Sequence, residues 1–372
     1  MTLTVRAIGD DDHGAINALH QAVGWPKRSE AGWRWLASNP ARLESGGVAG
    51  WLIESAAGEP CGFTGNFVQR FNHGDTVLFG ATGFSIIIRP QARGQSRQIL
   101  RTFTNQPEMF ARYTFNANAT SSPLYKRHAM VAWPPTTHAT KLSWRVDAMA
   151  IAGGRMWREV DRRAPHLIHP GRERLMNPRL AQVHRLSLPD GVVDLTDLDD
   201  RSAYADFWDA LKGERRLIAD RGPATLRWRL ADPDLTLRPL ILAYYRGERI
   251  TGYAMAMVAK NNPIDPPVLE VIDIVALRDE PAAIECLMET LLANARRLGA
   301  AKLRIQVVNE DLLRRLGPLA YSARDEGGWG HCHVKFEPGT PGVQTWAPTP
   351  FDGDFGICLR PVPISRTAQQ TG

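Results

Sequence analysis

Apolar residues recur along this chain at two spacings, and the switches between them mark out its elements. Thr2 to Ala7 reads as a short strand, and Asp10 to Val23 as a helix with acids at its start and Ile16, Leu19 and Val23 at helical spacing. Gly50–Glu54 and Cys61–Val68 read as strands joined by the turn Ala56–Glu59. The stretch 76–106 carries a long strand ending in Phe84–Ile88, the turn Pro90–Ser96, and a helix with Ile99, Leu100 and Phe103 on one face; Pro107 ends it. A strand over Arg112–Asn116, a helix over Pro123–Arg127 and a strand near Leu142–Ile151 complete the first half.

The second half repeats the plan. Arg34-Trp35 precedes Pro40 by the same step as Arg227-Trp228 precedes Pro233, and the turn at Gly58-Glu59 has its counterpart at Gly247-Glu248. Two matches in order at similar spacing point to a duplicated unit. Between the halves, residues 151–190 hold eight arginines against four acids and four prolines, the composition of a linker. The expected organisation is a first domain over 1–151, a linker over 152–190, a second domain over 191–360 and a flexible tail over 361–372.

Composition narrows the class. At 372 residues, 44% apolar and 23% charged, the chain has material for two cores of about 150 residues each. Four scattered cysteines without paired spacing suit free thiols in a reducing compartment. No run of about 18 apolar residues is present, and the first residues lack a signal-peptide pattern, so a cytoplasmic protein with no membrane span is expected. A net charge of +6 favours anionic partners such as a phosphate-bearing cofactor. Nucleic acid is not expected, because the arginines show neither helical spacing nor interleaved aromatics.

A strand that stops at a Gly-containing turn and feeds a helix leaves backbone N–H groups unpaired and aimed one way, an anion site suited to a pyrophosphate. Here the turn is Gln91-Ala92-Arg93-Gly94-Gln95-Ser96, followed by Arg97, and an Asn118-x-x-Ser121-x-x-x-Tyr125 segment comes after the next strand. This order resembles the GNAT superfamily of acyl-CoA-dependent N-acyltransferases, with Ser96 in place of that family's small Gly or Ala. The resemblance implies an α/β fold of two tandem GNAT-like domains, each a mixed twisted sheet flanked by helices. It implies acetyl-CoA or another acyl-CoA as co-substrate, bound by Ile86, Ile88, Gln91, Arg93, Gly94, Gln95, Ser96, Arg97 and Asn118. Ile86 or Ile87 would offer a backbone N–H to the thioester oxygen, and Tyr125 would protonate the departing thiolate.

The acceptor implied is a small amine or amino sugar, as in bacterial acyltransferases of polysaccharide or secondary-metabolite pathways, with Trp228, Tyr244, Tyr245 and Tyr253 as candidate cleft walls. The base stays unassigned, since Thr76–Ile88 holds no acid and His73, Asp75 and His128 read as surface or packing residues. In the second half the turn Ala276–Pro281 has no glycine and carries Asp279 and Glu280, which disfavours phosphate, so that domain is expected to be degenerate. Asp273 reads as a satisfied buried carboxylate or a substrate-facing acid, Asp352-Gly353-Asp354 as a turn, and His331 and His333 as strand residues without further metal ligands. Two other classes share the fold: a FemAB-like aminoacyl-tRNA-dependent transferase and a non-catalytic acyl-CoA-binding protein.

Overall fold

The computed structural model describes residues 3–164, 185–262, 264–327 and 330–360. The first half supplies β1 (Leu3–Ala7), β2 (Gly50–Ser55), β3 (Pro60–His73), β4 (Thr76–Ile88), β5 (Ala111–Ala117), β6 (Val131–Ala132) and β7 (Leu142–Arg145). The second supplies β8 (Val192–Asp194), β9 (Ile218–Ala219), β10 (Leu240–Arg246), β11 (Arg249–Ala259), β12 (Val268–Ala276), β13 (Lys302–Ile305), β14 (Arg324–Asp325) and β15 (His331–Phe336). They form two mixed sheets, and the sheets exchange strands. The first runs β1-β2-β3-β4-β5-β15-β6 with β9 attached to β3; the second runs β14-β7-β13-β12-β11-β10-β8.

The exchange is reciprocal. β15, from the end of the chain, lies antiparallel on β5 with Val334 opposite Tyr113, and β7 lies antiparallel on β13 with Trp144 opposite Leu303. Neither half therefore closes its own sheet. The stretch expected to be one strand over 142–151 is instead this short strand followed by a helix, Ala148–Arg163, capped by Asp147 through its bond from the Ala150 N–H. Regular structure thus continues past residue 151, where the linker was expected to begin. Most of the Arg- and Pro-rich segment lies outside the described residues.

The duplication is visible in the helices. α1 is His13–Ala22, α2 is Glu30–Ala37 and α3 is Pro40–Ser45; the helix Pro223–Leu230 repeats α2 at an offset of 193 residues. Ser29 caps α2 by accepting the Gly32 N–H at 2.9 Å. The matched tryptophans meet: Trp35 and Trp228 stack with centroids 4.4 Å apart, and Trp35 Nε1 donates to the Trp228 carbonyl at 2.8 Å. Equivalent residues that touch each other lie on the local two-fold axis. Asp234 of the second half approaches α2 so closely that a Cβ on Gly32 would lie 1.9 Å from its carboxylate oxygen.

The same offset pairs two buried arginines. Arg28 reaches across to Asp232 at 2.8 Å. Arg221 binds Asp273 at 2.7 Å and Asp352 at 2.8 Å, with Thr349 bridging to Asp273 at 2.6 Å and Tyr253 donating to the same carboxylate. Asp273 is therefore the satisfied buried carboxylate of the two readings. Phe71, Tyr113 and Phe115 of the first half, Tyr204, Phe207 and Tyr253 of the second, and Trp346, Phe351 and Phe355 of the C-terminal segment share one apolar cluster. Tyr253 is a packing residue of this cluster, and the half-buried Trp228 stacks on Trp35 and Phe67.

Arg221→Gln removes the cation hydrogen-bonded to both Asp273 and Asp352. It is expected to cost about 3–5 kcal/mol, read as a lowered urea midpoint. Because strands and core are shared, calorimetry of the native chain should show a single transition for both halves.

Candidate functional site

β4 and β5 run parallel but pair only over Gly80–Ala111, Ala81–Arg112 and Thr82–Tyr113. Past that point β4 continues to Ile88 and β5 to Ala117 with no bond between them, because β5 turns its other edge to β15. A wedge-shaped gap opens between two strands of one sheet. On its β4 side the register against β3 slips between Phe63 and Gly65, and Ser85 adopts φ +51°. A bulge frees backbone groups from the ladder, and this one falls at Ser85-Ile86, where the thioester donor was expected. Gly65 permits it, since the Phe84 ring lies 2.2 Å from where a Cβ would stand.

The expected phosphate turn is a 3-10 helix, Pro90–Gln95, running directly into α4 (Ser96–Thr104). Ala92 is buried beneath it and anchors it to the cluster of Ile99, Leu100 and Phe103. Gln91, Arg93, Gly94 and Arg97 are exposed, while Gln95 and Ser96 are half-buried. Gly94 has neither left-handed backbone nor a neighbour within 4 Å of where a Cβ would stand, so the protein's own packing does not demand a glycine there. Ser96 Oγ donates to the Arg93 carbonyl at 2.9 Å, so its proton is already committed. Arg93, Arg97 and Arg101 have no carboxylate partner among the described residues. After its burial, Arg101 and Arg97 are the next forces holding the His128 imidazole below its ordinary range, which records the positive field at this helix.

Tyr125 stands on α5 (Ser122–Arg127), buried with Trp51, Ile99 and Ala117, and with Ile86 and Ile88 packed at its margin. Its hydroxyl bonds Thr114 on β5, just beyond the last β4–β5 pair, and burial pushes the phenol up to about 12. Asn118 is exposed, and its carboxamide oxygen accepts the Thr120 and Ser121 N–H groups at 3.0 and 2.9 Å. Asn118 thus holds the start of α5, leaving only its NH2 group toward the gap. His333 on β15 bonds Ser122 Oγ at 2.7 Å and stacks on Tyr125 with centroids 6.2 Å apart. His73 and Asp75 lie at the far tip of the β3–β4 hairpin.

The C-terminal segment crosses the inner side of the gap, which the sequence pattern did not foretell. A Cβ on Gly353 would stand 3.0 Å from the Phe115 ring on β5, and Ile357 belongs to the apolar cluster that holds Phe84 and Ile87 of β4. Between them sits Asp354, buried, with Oδ2 accepting from Cys358 Sγ at 3.3 Å and Oδ1 without a partner. The sequence signal was an acid flanked by glycine and aromatics, Asp352-Gly353-Asp354-Phe355, which reads equally as a solvent turn.

The second half has the corresponding gap, since β12 pairs with β13 only as far as Val271–Ile305. There it is filled by Asp273, Arg221, Thr349 and Asp352. The turn after β12 presents carbonyls: Arg216 binds the Ala276 oxygen at 2.9 Å, and Arg315 binds those of Leu277 and Glu280 at 2.8 and 2.6 Å. Glu214 already accepts the Arg278 N–H at 2.7 Å. Arg216 and Arg315 thus close on main-chain carbonyls, and an internal carboxylate holds the Arg278 N–H. Of the acids expected to repel a phosphate, Asp279 is exposed in the turn and Glu280 is buried with an oxygen 3.3 Å from Arg246. The larger cavities, about 780 Å3 beside α1 and α2 and about 690 Å3 near Arg278 and Arg314, lie away from the first gap.

No family model matches the sequence, and no similar sequence is found among curated proteins. Solved structures do resemble it. Saccharomyces cerevisiae N-myristoyltransferase with bound myristoyl-CoA and inhibitors aligns at TM-score 0.52 and 9% identity, over 96% of this chain and 86% of that one. A probable N-acyltransferase from Enterococcus faecalis V583 gives 0.52 at 11%, and a GCN5-related N-acetyltransferase from Anabaena variabilis 0.51 at 14%, each over 90% of this chain and 73% of its own. The chain has the tandem GNAT fold. No helix among the described residues is long and apolar enough to cross a membrane.

Burial, with Lys126, His331 and His138 nearby, pushes the His333 imidazole from 6.5 down to about 4. Between those values the unfolded chain binds a proton that the folded chain refuses, so stability is greatest above the window and falls as pH drops through it. Replacing His333 by Gln should flatten that acid slope, worth on the order of 2–3 kcal/mol, in urea titrations across the window.

Proposed function

We propose that the chain transfers an acyl group from acyl-CoA to an amine, using the gap between β4 and β5. The observation that carries this is the gap itself: open strand edges, a bulge at Ser85-Ile86, and a turn and helix bearing uncompensated arginines at one end. A pantetheine arm in the gap would pair with the free edge of β4 near Ile86 and Ile88 and with the NH2 group of Asn118. The pyrophosphate would meet the turn Gln91–Ser96, with Arg93 and Arg97 as counter-charges. The amine then attacks the thioester carbon, an N–H at the bulge steadies the oxyanion, the C–S bond breaks, and Tyr125 protonates the sulfur. A phenol held near pH 12 stays protonated throughout the working range, which suits a donor. An acetyl donor and an amino-sugar acceptor are the finer reading.

Calorimetry with acetyl-CoA and myristoyl-CoA tests the reading, and absence of binding by both at high micromolar concentration would sink it. Arg93→Glu with Arg97→Glu should weaken acyl-CoA binding by about tenfold or more, with less salt dependence, while the thermal midpoint stays put. Tyr125→Phe should keep acyl-CoA affinity and lower kcat on the order of a hundredfold. Unchanged turnover would remove Tyr125 from the mechanism.

A further inference from the structure

Acyl transfer to an amine releases a proton from the attacking nitrogen, and β4 carries no side chain to take it. We propose that Asp354 is the base: its unpartnered Oδ1, held by the C-terminal segment across the inner side of the β4–β5 gap, accepts the proton from the acceptor amine. This rests on the acyltransferase reading above.

Position comes first. Gly353 abuts Phe115 on one splayed strand and Ile357 belongs to the apolar cluster that holds Phe84 and Ile87 of the other, which sets the residue between them against the gap. The carboxylate acts electrostatically on the Tyr125 phenol, which approaches from the α5 side. Acid and base thus flank one space from opposite faces of the sheet.

The contrast with Asp352 sharpens the assignment. Two residues away on the same segment, Asp352 serves the second gap, where Arg221 binds one oxygen and Trp346 Nε1 donates to the other at 3.0 Å. The filled gap holds a fully bonded carboxylate, and the open one holds a carboxylate with an idle oxygen. A buried acceptor left idle costs stability unless something completes it, and an ammonium or amine N–H would.

Around Asp354 stand Tyr125 from α5, Lys141 ahead of β7, Cys332 on β15, and Cys358 and Arg360 on its own segment. Burial, the largest influence, raises the Asp354 carboxyl above its ordinary range, with the Cys358 contact, Arg360 and Lys141 pulling the other way. The reaction balances simply. The C–N bond forms, the C–S bond breaks, the amine proton passes to Asp354, the Tyr125 proton passes to sulfur, and solvent returns one proton to Tyr125 and removes the other from Asp354.

The test measures CoA release from acetyl-CoA and myristoyl-CoA with hydroxylamine as acceptor, for the native chain, Asp354→Asn and Asp354→Ala, between about pH 5 and 10. The native profile should rise along a limb above the ordinary carboxylate range. Asp354→Asn should lose about 10²–10⁴-fold in kcat together with that limb, at unchanged acyl-CoA affinity, and added formate should restore part of the Asp354→Ala rate. Full activity in Asp354→Asn, or a native profile without the limb, overturns Asp354 alone. No release above the uncatalysed rate in the native chain overturns the acyltransferase reading, and Asp354 with it.

Discussion

The exchange of β7 and β15 between the sheets is the constraint on which the rest of the molecule depends. β5 can leave β4 only because β15 satisfies its other edge; without that partner, divergence past Tyr113 would strand backbone groups on both sides. β15 also brings His333 against Ser122 and Tyr125, and the chain that follows it returns with Trp346, Asp352 and Asp354. The end of the second half thereby builds the inner side of the first half's gap. Neither half is a complete unit, although each repeats the same order of elements.

Duplication supplied two gaps, and charge placement separates them. Arg28 and Arg221 hold matching positions, yet Arg28 clamps the halves together at Asp232 while Arg221 turns inward to Asp273 and Asp352. Arg221, Thr349 and Tyr253 converge on Asp273, so a bonded carboxylate occupies the second gap. The first gap differs in each respect: free strand edges, arginines without carboxylates on α4, and an idle carboxylate oxygen.

What was legible in the sequence is what local chemistry encodes. The strand, turn and helix at 76–106, the Asn118–Tyr125 segment and the Trp35/Trp228 repeat rest on neighbours within a few residues, and each took its expected form within a residue or two. The strand exchange was not legible, because Leu142–Arg145 and His331–Phe336 are apolar strands of ordinary pattern and pairing partners lie far away in sequence. Asp352 and Asp354 were equally opaque: an acid beside glycine reads as a surface turn until a partner such as Arg221, 131 positions away, is brought to it. The oxygen of Asn118 is spent on capping, a competition that spacing does not reveal.

A base carried by the C-terminal segment has a consequence for how such a fold can work. When the base stands on β4, it shares a rigid strand with the oxyanion donor, and both are fixed together. In the proposed arrangement β4 would supply only backbone, while the proton acceptor would arrive on a segment tied down by Gln69 at the Asp352 carbonyl and by Arg28 at the Ile357 carbonyl, 2.5 Å away. Those ties come from the first half, so the segment is positioned by the sheet it serves even though it follows the second. The proposed acid, oxyanion donor and base would then sit on three separate elements whose relative placement depends on the shared core, and catalysis and the docking of the two halves would become one structural problem.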